Sequence, residues 1–251
     1  MVSNPNITIV GSYLSPYVRK VLVCLDLKGL AYQIDPIVPY FGNDSFSQIS
    51  PLRRIPVLID DQVTLSDSTV ICEYLEERFP TPALLPSTPQ HRAQARWLEE
   101  YADTRMGEVF IWHLYNQLII KKYVWGQAPD QAILKAAYEQ EIPSVLDYLD
   151  TVVPNSGFIF EQLSIADISI CSFFRNAAFA RFSIDGNKWP KTKNFVESVL
   201  QLPSFTQLQA FEQVCLTTPI NQHRDALKQA GAPIAPDTYF TDAPRPGILS
   251  T

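Results

Sequence analysis

Glycine is scarce in this chain: nine residues stand against 20 prolines. That ratio argues against flexible linkers and for helix starts and rigid connections. Positive charge is also in short supply. The 20 Lys and Arg are outnumbered by 26 Asp and Glu, for a net charge of −6. A nucleic-acid surface needs concentrated basic residues, so nucleic acid is not expected as a main partner, and any anionic ligand must be held by a local basic spot. The four cysteines stand at 24, 72, 171 and 215, with no C-x-x-C and no paired spacing. Three lie inside apolar helical patterns, where Cys behaves as a small hydrophobe, so a reducing cytoplasmic setting is expected. His91, His113 and His223 are far apart and lack any i, i+4 pairing, so no metal site is expected. G-x-G-x-x-G, P-loop, G-x-S-x-G and H-E-x-x-H motifs are missing. No signal-peptide pattern opens the chain. The longest apolar stretch, residues 109–120, is broken by His113, Asn116 and Gln117 and is too short to span a bilayer.

What is there suffices for one large domain or two modest ones: 251 residues, 46% of them hydrophobic. Residues 7–10 read as a short strand. Val18, Val21, Leu22 and Leu25 follow at i, i+3, i+4, i+7, one helical face, with Gly29 as its stop. Residues 32–38 read as a second strand. Residues 55–59 and 63–65 flank Asp60-Asp61-Gln62 as a hairpin. Ser66-Asp67-Ser68 then caps a helix running to Phe79. The order is βαβ, then ββα. Four prolines between residues 80 and 89 mark a boundary. Beyond it the pattern is helical, at roughly 90–122, 130–150, 165–182, 192–201 and 204–215. The expected division is residues 1–80, a linker at 81–89, a helical domain at 90–216 and a Pro-rich extension at 217–251. That extension holds a helical stretch at 224–230. Its Tyr239, Phe240, Ile248 and Leu249 are expected to bury apolar area against the helical domain.

Four local patterns stand out. Ser15-Pro16-Tyr17-Val18-Arg19-Lys20-Val21 is an ordinary N-cap plus N1 proline in its simplest reading. Ser50-Pro51-Leu52-Arg53-Arg54-Ile55-Pro56-Val57-Leu58 places a proline at a strand start. Leu65-Ser66-Asp67-Ser68 reads as a helix cap. Ser164-Ile165-Ala166-Asp167 reads as a capping box.

Taken in order and at these spacings, the four resemble the cytosolic glutathione S-transferases. The first resembles the start of helix 1 in the serine-type tau class, whose omega-class counterpart carries Cys at the position of Ser15. The resemblance covers residues 6 to about 215. It implies an α/β thioredoxin-like N-terminal domain with a mixed sheet, followed by an all-α domain, and a homodimer. It implies glutathione as co-substrate, with no metal, and Ser15 stabilising its thiolate for attack on an apolar or aromatic electrophile. The roles of cap and thiolate donor are compatible, because a hydroxyl can accept one bond and donate another, and a helix N-terminus favours an anion. The resemblance further implies a cis bond before Pro56, with the Ile55 backbone pairing with glutathione as an added strand. Asp67 takes the γ-glutamyl ammonium, and Ser68 takes its carboxylate. Residues 37–49 contain no basic residue, where many family members place one for the glycyl carboxylate. Arg53 and Arg54 are the nearest candidates, Arg54 the better aligned. Tyr17, Arg105, Glu108, Trp112, Tyr115, Phe173 and Phe179 are the expected electrophile pocket, whereas Ser164 and Asp167 are assigned to folding. A glutathione-dependent lyase, isomerase or peroxidase, or a non-catalytic binding module, are the alternatives on the same scaffold.

Overall fold

The computed structural model describes residues 6–245. They divide into two compact units: one holds residues up to Pro82 together with those from Pro203 onward, and the other spans Ala83–Leu202.

In the first unit, β1 (Ile7–Val10), α1 (Pro16–Leu27) and β2 (Tyr32–Asp35) form the βαβ element. A short helix α2 (Asp44–Ile49), β3 (Val57–Ile59), β4 (Thr64–Ser66) and α3 (Ser68–Arg78) follow. The sheet order is β2-β1-β3-β4; β1 and β2 are parallel, and β3 is antiparallel to both of its neighbours. This is the mixed thioredoxin-like sheet that the resemblance implied. β2 stops at Asp35 because Pro36 has no N–H to give to the ladder. α1 ends as its sequence predicts. Gly29 has φ +65°, the Gly29 N–H bonds Asp26 and the Leu30 N–H bonds the Leu25 carbonyl, which together make a Schellman stop. Sequence periodicity did not reveal α2, although Asn43 caps it by accepting the Phe46 N–H at 3.0 Å.

Among the ion pairs of this unit, three join distant parts of it through a buried partner. Arg19 and Glu212 are each 1% exposed, and Arg19 Nε donates to Glu212 Oε1 at 2.7 Å. Lys28 donates to Glu76, to the Phe79 carbonyl and to the Pro82 carbonyl at 2.8–2.9 Å, closing the end of α3. The third joins Arg224 to Asp35. A buried pair is not by itself stabilising, but losing one partner strands the other charge at a cost of about 3–5 kcal/mol.

The second unit is helical. It comprises α4 (Pro89–Tyr101), a π-helical continuation (Ala102–Ile120), α5 (Lys121–Tyr123), α6 (Gln131–Ala136), a second π stretch (Ala137–Glu141), α7 (Ile142–Val152), α8 (Ile165–Phe179) and α9 (Pro190–Leu200). Its buried centre is the face of α8 carrying Ile168, Cys171 and Phe174, which packs on residues 102–120 through the Phe110–Phe174 ring pair at 5.1 Å.

α10 (Pro203–Thr206), α11 (Gln209–Thr217) and α12 (His223–Gln229) are compact with the first unit. Arg19–Glu212 and the 5.0 Å contact of Tyr13 with Phe211 hold α11 on α1. The extension likewise packs on the first unit, where it covers the open edge of β2. The Ile34 N–H donates to Pro233, and the Ala235 N–H donates back to Ile34. Tyr239 and Phe240 join the cluster of Val10, Ile37, Phe46 and Val57, and Phe240 stacks on Phe41. An exposed edge offers unpaired N–H and C=O groups, and the extension satisfies them. Ile248 and Leu249 lie outside the described residues.

Candidate active site

Strand register brings the predicted residues of the first unit to one end of the sheet. Val10 is opposite Val57, and Val57 is opposite Ser66. The loop after β1, the approach to β3 and the exit from β4 therefore share that end. Gly11, at φ +155°, begins the loop. A Cβ there would meet Val18 Cγ2 at 2.5 Å and Ile55 Cβ at 3.3 Å, so α1 and residue 55 close tightly around it.

Ser15 is the N-cap of α1. Its Oγ accepts the Val18 N–H at 3.3 Å, and its own hydroxyl proton is not donated to any described residue. The cap and the proline at the first helical position are as the sequence predicted. The Ile55–Pro56 peptide is cis, as expected, and so is Thr81–Pro82. The Ile55 N–H and carbonyl lie just beyond β3 and bond to no described residue.

Asp67 caps α3. Its Oδ1 accepts from the Thr69 N–H at 2.9 Å and the Val70 N–H at 3.1 Å. Its φ of +146° is a conformation that favours glycine, so the backbone is strained at this residue. Ser68 opens the helix and is buried, yet neither its hydroxyl nor its N–H is bonded to another described residue. The chain thus places a carboxylate and a free hydroxyl at a helix N-terminus.

The two arginines have different surroundings. Arg53, at φ +50°, is an internal brace: its guanidinium donates to Ser47 Oγ at 2.6 Å and the Gly42 carbonyl at 2.7 Å, and it stacks over Phe46. Arg54 is exposed, and its side chain has no hydrogen-bond or ionic partner among the described residues. Only its backbone is held, by Ser50. The Ser50 Oγ accepts the Arg54 N–H at 2.9 Å, donates to the Arg54 carbonyl at 2.8 Å and lies 3.1 Å from Ser66 Oγ. Ser50 fixes the 50–54 turn to the end of β4. Sequence reading had it only as part of a motif. Lys20 was also missed: it is buried and donates to Thr69 Oγ1 at 3.1 Å, under the start of α3. A lysine in an apolar-periodic helix but off its apolar face was the available signal.

The residues expected to line an electrophile pocket come from both units. Tyr17 sits in the first turn of α1 and is half-buried. In the helical unit, Arg105 pairs with Glu108 at 2.6 Å and lies 3.6 Å from Glu141, which bonds His113 at 2.7 Å. That is a solvated charged cluster. Trp112 is exposed, whereas Tyr115 and Phe173 are buried. Phe179 is half-buried beneath Arg175. An α-helical period groups residues 101, 105, 108, 112 and 115 on one face. That face is mostly exposed or half-buried, with Trp112 exposed and Tyr115 buried at its edge. An open hollow of about 600 Å³ lined by Ile184, Asp185, Pro190 and Lys193, among others, contains none of the predicted residues.

Ser164 and Asp167 form the expected capping box. The Ser164 N–H and hydroxyl each donate to Asp167 Oδ2 at 2.8 Å, and the Ile159 N–H donates to Oδ1 at 2.8 Å. Burial pushes the Asp167 carboxyl above the usual range, against the pull of these bonds. Among the described residues, no group of three or more His, Cys, Asp or Glu is placed to hold a metal, and no helix is long and apolar enough to cross a membrane.

Comparison with known proteins agrees with this arrangement. Residues 9–83 match the glutathione S-transferase N-terminal domain, and residues 116–211 match the glutathione S-transferase C-terminal domain. The chain belongs to the glutathione S-transferase family. It is 33% identical over 191 residues to a stringent starvation protein A homolog of Pasteurella multocida, spanning 76% of this chain and 84% of that protein. It is 29% identical over 194 residues to maleylacetoacetate isomerase of Rattus norvegicus, spanning 74% and 84%. A glutathione S-transferase crystal structure from Rhodospirillum rubrum superposes with TM-score 0.76 at 27% identity, covering 88% of this chain and 99% of that one. A tau-like or omega-like subclass does not follow from these matches.

Proposed function

We propose that this chain is a glutathione transferase that binds glutathione on its N-terminal unit and attacks an apolar electrophile with the bound thiolate. The observation that carries the reading is Ser15: a half-buried cap whose acceptor side is used and whose proton is free, at a helix N-terminus. A thiolate there gains a donor and the helix dipole together. Lowering a thiol pKa by ~2 units requires only ~2.7 kcal/mol, within reach of a charge-assisted hydrogen bond plus that dipole. The free Ile55 N–H and carbonyl suit the cysteinyl backbone. The Ser68 hydroxyl at the start of α3 suits the γ-glutamyl carboxylate, with Asp67 for its ammonium. Arg54, exposed and unpaired, suits the glycyl carboxylate. Catalysis is then positioning plus an activated nucleophile, with no covalent intermediate on the protein. We assign the enzyme to the cytoplasm and expect a homodimer.

The test is thiolate absorbance of bound glutathione against pH, with conjugation rates for the wild type and Ser15→Ala. The serine reading requires a raised thiol pKa and a slower rate at neutral pH in the variant, with part of the rate returning at higher pH. An unchanged pKa and rate leave Ser15 as a cap only. The likeness to maleylacetoacetate isomerase favours a second reading on the same residues, glutathione-dependent isomerisation. Product analysis separates the two, because conjugation consumes glutathione and isomerisation returns it. Binding without turnover over a broad electrophile panel would instead identify a binding module.

A further inference from the structure

The stretch after β2, residues 37–49, carries no basic side chain of its own. The C-terminal extension brings one to it. The Asn43 N–H donates to Tyr239, the Thr241 N–H to Phe41 and the Arg245 N–H to Tyr40, all at 2.7–2.8 Å. Three main-chain bonds thus lay residues 239–245 along residues 40–43. The upstream end is held by Asp35, which is buried and accepts from Thr238 Oγ1 and the Tyr239 N–H at 2.7 Å and from Arg224 at 3.1 Å. The strap is therefore anchored at both ends, and the position of Arg245 follows from it.

The Arg245 guanidinium is close enough to Arg53 that its charge, after burial, helps push the Arg53 guanidinium below its ordinary value. Arg53 is followed by Arg54 and Ile55, the approach to the site end of the sheet. Arg53 itself is committed to Ser47 and to the Gly42 carbonyl. Arg245 is not so committed. Its counter-charge among the described residues is Asp44, reached through Nη1, and the two side chains are 48% and 87% exposed. Such an exposed pair contributes about 0–1 kcal/mol, and a guanidinium has five N–H donors. Arg245 can therefore exchange Asp44 for a better-placed carboxylate, or bind one beside it, at little cost.

We infer that Arg245, carried in by the C-terminal extension, supplies the cation that residues 37–49 lack and holds the glycyl carboxylate end of glutathione together with Arg54. The extension is then part of the binding site as well as an edge cover. This rests on the glutathione reading above. The experiment is calorimetric titration of the full chain with glutathione and with its glycyl amide, in which that carboxylate is neutral. Arg245→Ala should weaken glutathione binding ~tenfold, the worth of one charge-assisted hydrogen bond, and change amide binding less than ~twofold. Asp44→Asn, which frees the guanidinium, should leave glutathione affinity equal or higher. Equal loss for both ligands, or no loss for either, overturns the assignment of Arg245 while leaving glutathione binding intact. Failure of the wild type to bind either ligand overturns the glutathione reading itself, and this inference with it.

Discussion

Two helix starts in this chain use the same residue types to different ends. At α8, Ser164 and Asp167 are buried and nearly saturated: Asp167 accepts three bonds from Ser164 and Ile159, and nothing faces outward. At the site end of the sheet, Ser15, Asp67 and Ser68 also cap helices, but incompletely. Ser15 keeps its proton, Ser68 keeps its hydroxyl and N–H, and Asp67 is exposed at a strained φ. A saturated cap can only stabilise. An unsaturated one keeps donors and dipole for a ligand. The contrast separates a cap whose bonding capacity is used up from caps with capacity left over, and the proposed site rests on the latter.

The sharpest way to break that contrast is at the saturated cap. Asp167→Ala leaves two buried donors of Ser164 and the half-buried Ile159 N–H without their acceptor and should cost at least ~2 kcal/mol, since each stranded buried group costs ~1–3 kcal/mol. A urea titration measures it, and a loss under ~1 kcal/mol would mean the box is dispensable. Ser15→Ala is expected next. It should lose ~1 kcal/mol of stability but ~10–100-fold in conjugation at neutral pH, each tenfold being about 1.4 kcal/mol. If stability falls further than activity, the two caps are alike after all. Arg54→Ala should raise the KM for glutathione ~3–10-fold with kcat unchanged, the mark of uniform binding. Steady-state kinetics decides it, and an unchanged KM returns Arg54 to the solvated surface.

The smallest effect is one of pH. The Asp167 carboxyl is raised in the folded chain by burial, so the folded state holds its proton to higher pH than the unfolded state does. Its contribution to stability therefore falls as pH rises from the ordinary Asp value, about 3.9, through the raised folded value, and is constant above it. Asp167→Asn carries no such titration. Urea midpoints from pH 4 to 7 should show the wild type losing more stability across that window than the variant, and parallel curves would refute it.

Much of the site was readable because its signals are local. Ser15-Pro16, Asp67-Ser68 and Ser164-x-x-Asp167 act within one helical turn, and the Asp60-Asp61-Gln62 hairpin and the Gly29 stop act within a few residues. Composition and periodicity were enough to order βαβ-ββα and the helices after it. The expected pocket was less legible, because its residues come from separate helices and their grouping does not rest on near neighbours.

The sequence by itself determined most of the elements, with α2 the exception, and most of their caps and candidate ligand groups, because these rest on chemistry between near neighbours. The tertiary structure alone decided which of those groups are spent. Arg53 and Arg54 are adjacent in sequence, yet one is consumed bracing residues 42–47 and the other is free. It also decided where the C-terminal residues go. Arg19 meets Glu212 across 193 positions, and Asp35 meets Arg224 across 189 and Thr238 across 203. No local pattern encodes such pairs. They form because an open strand edge and buried charges must find partners, and the remote chain supplies them.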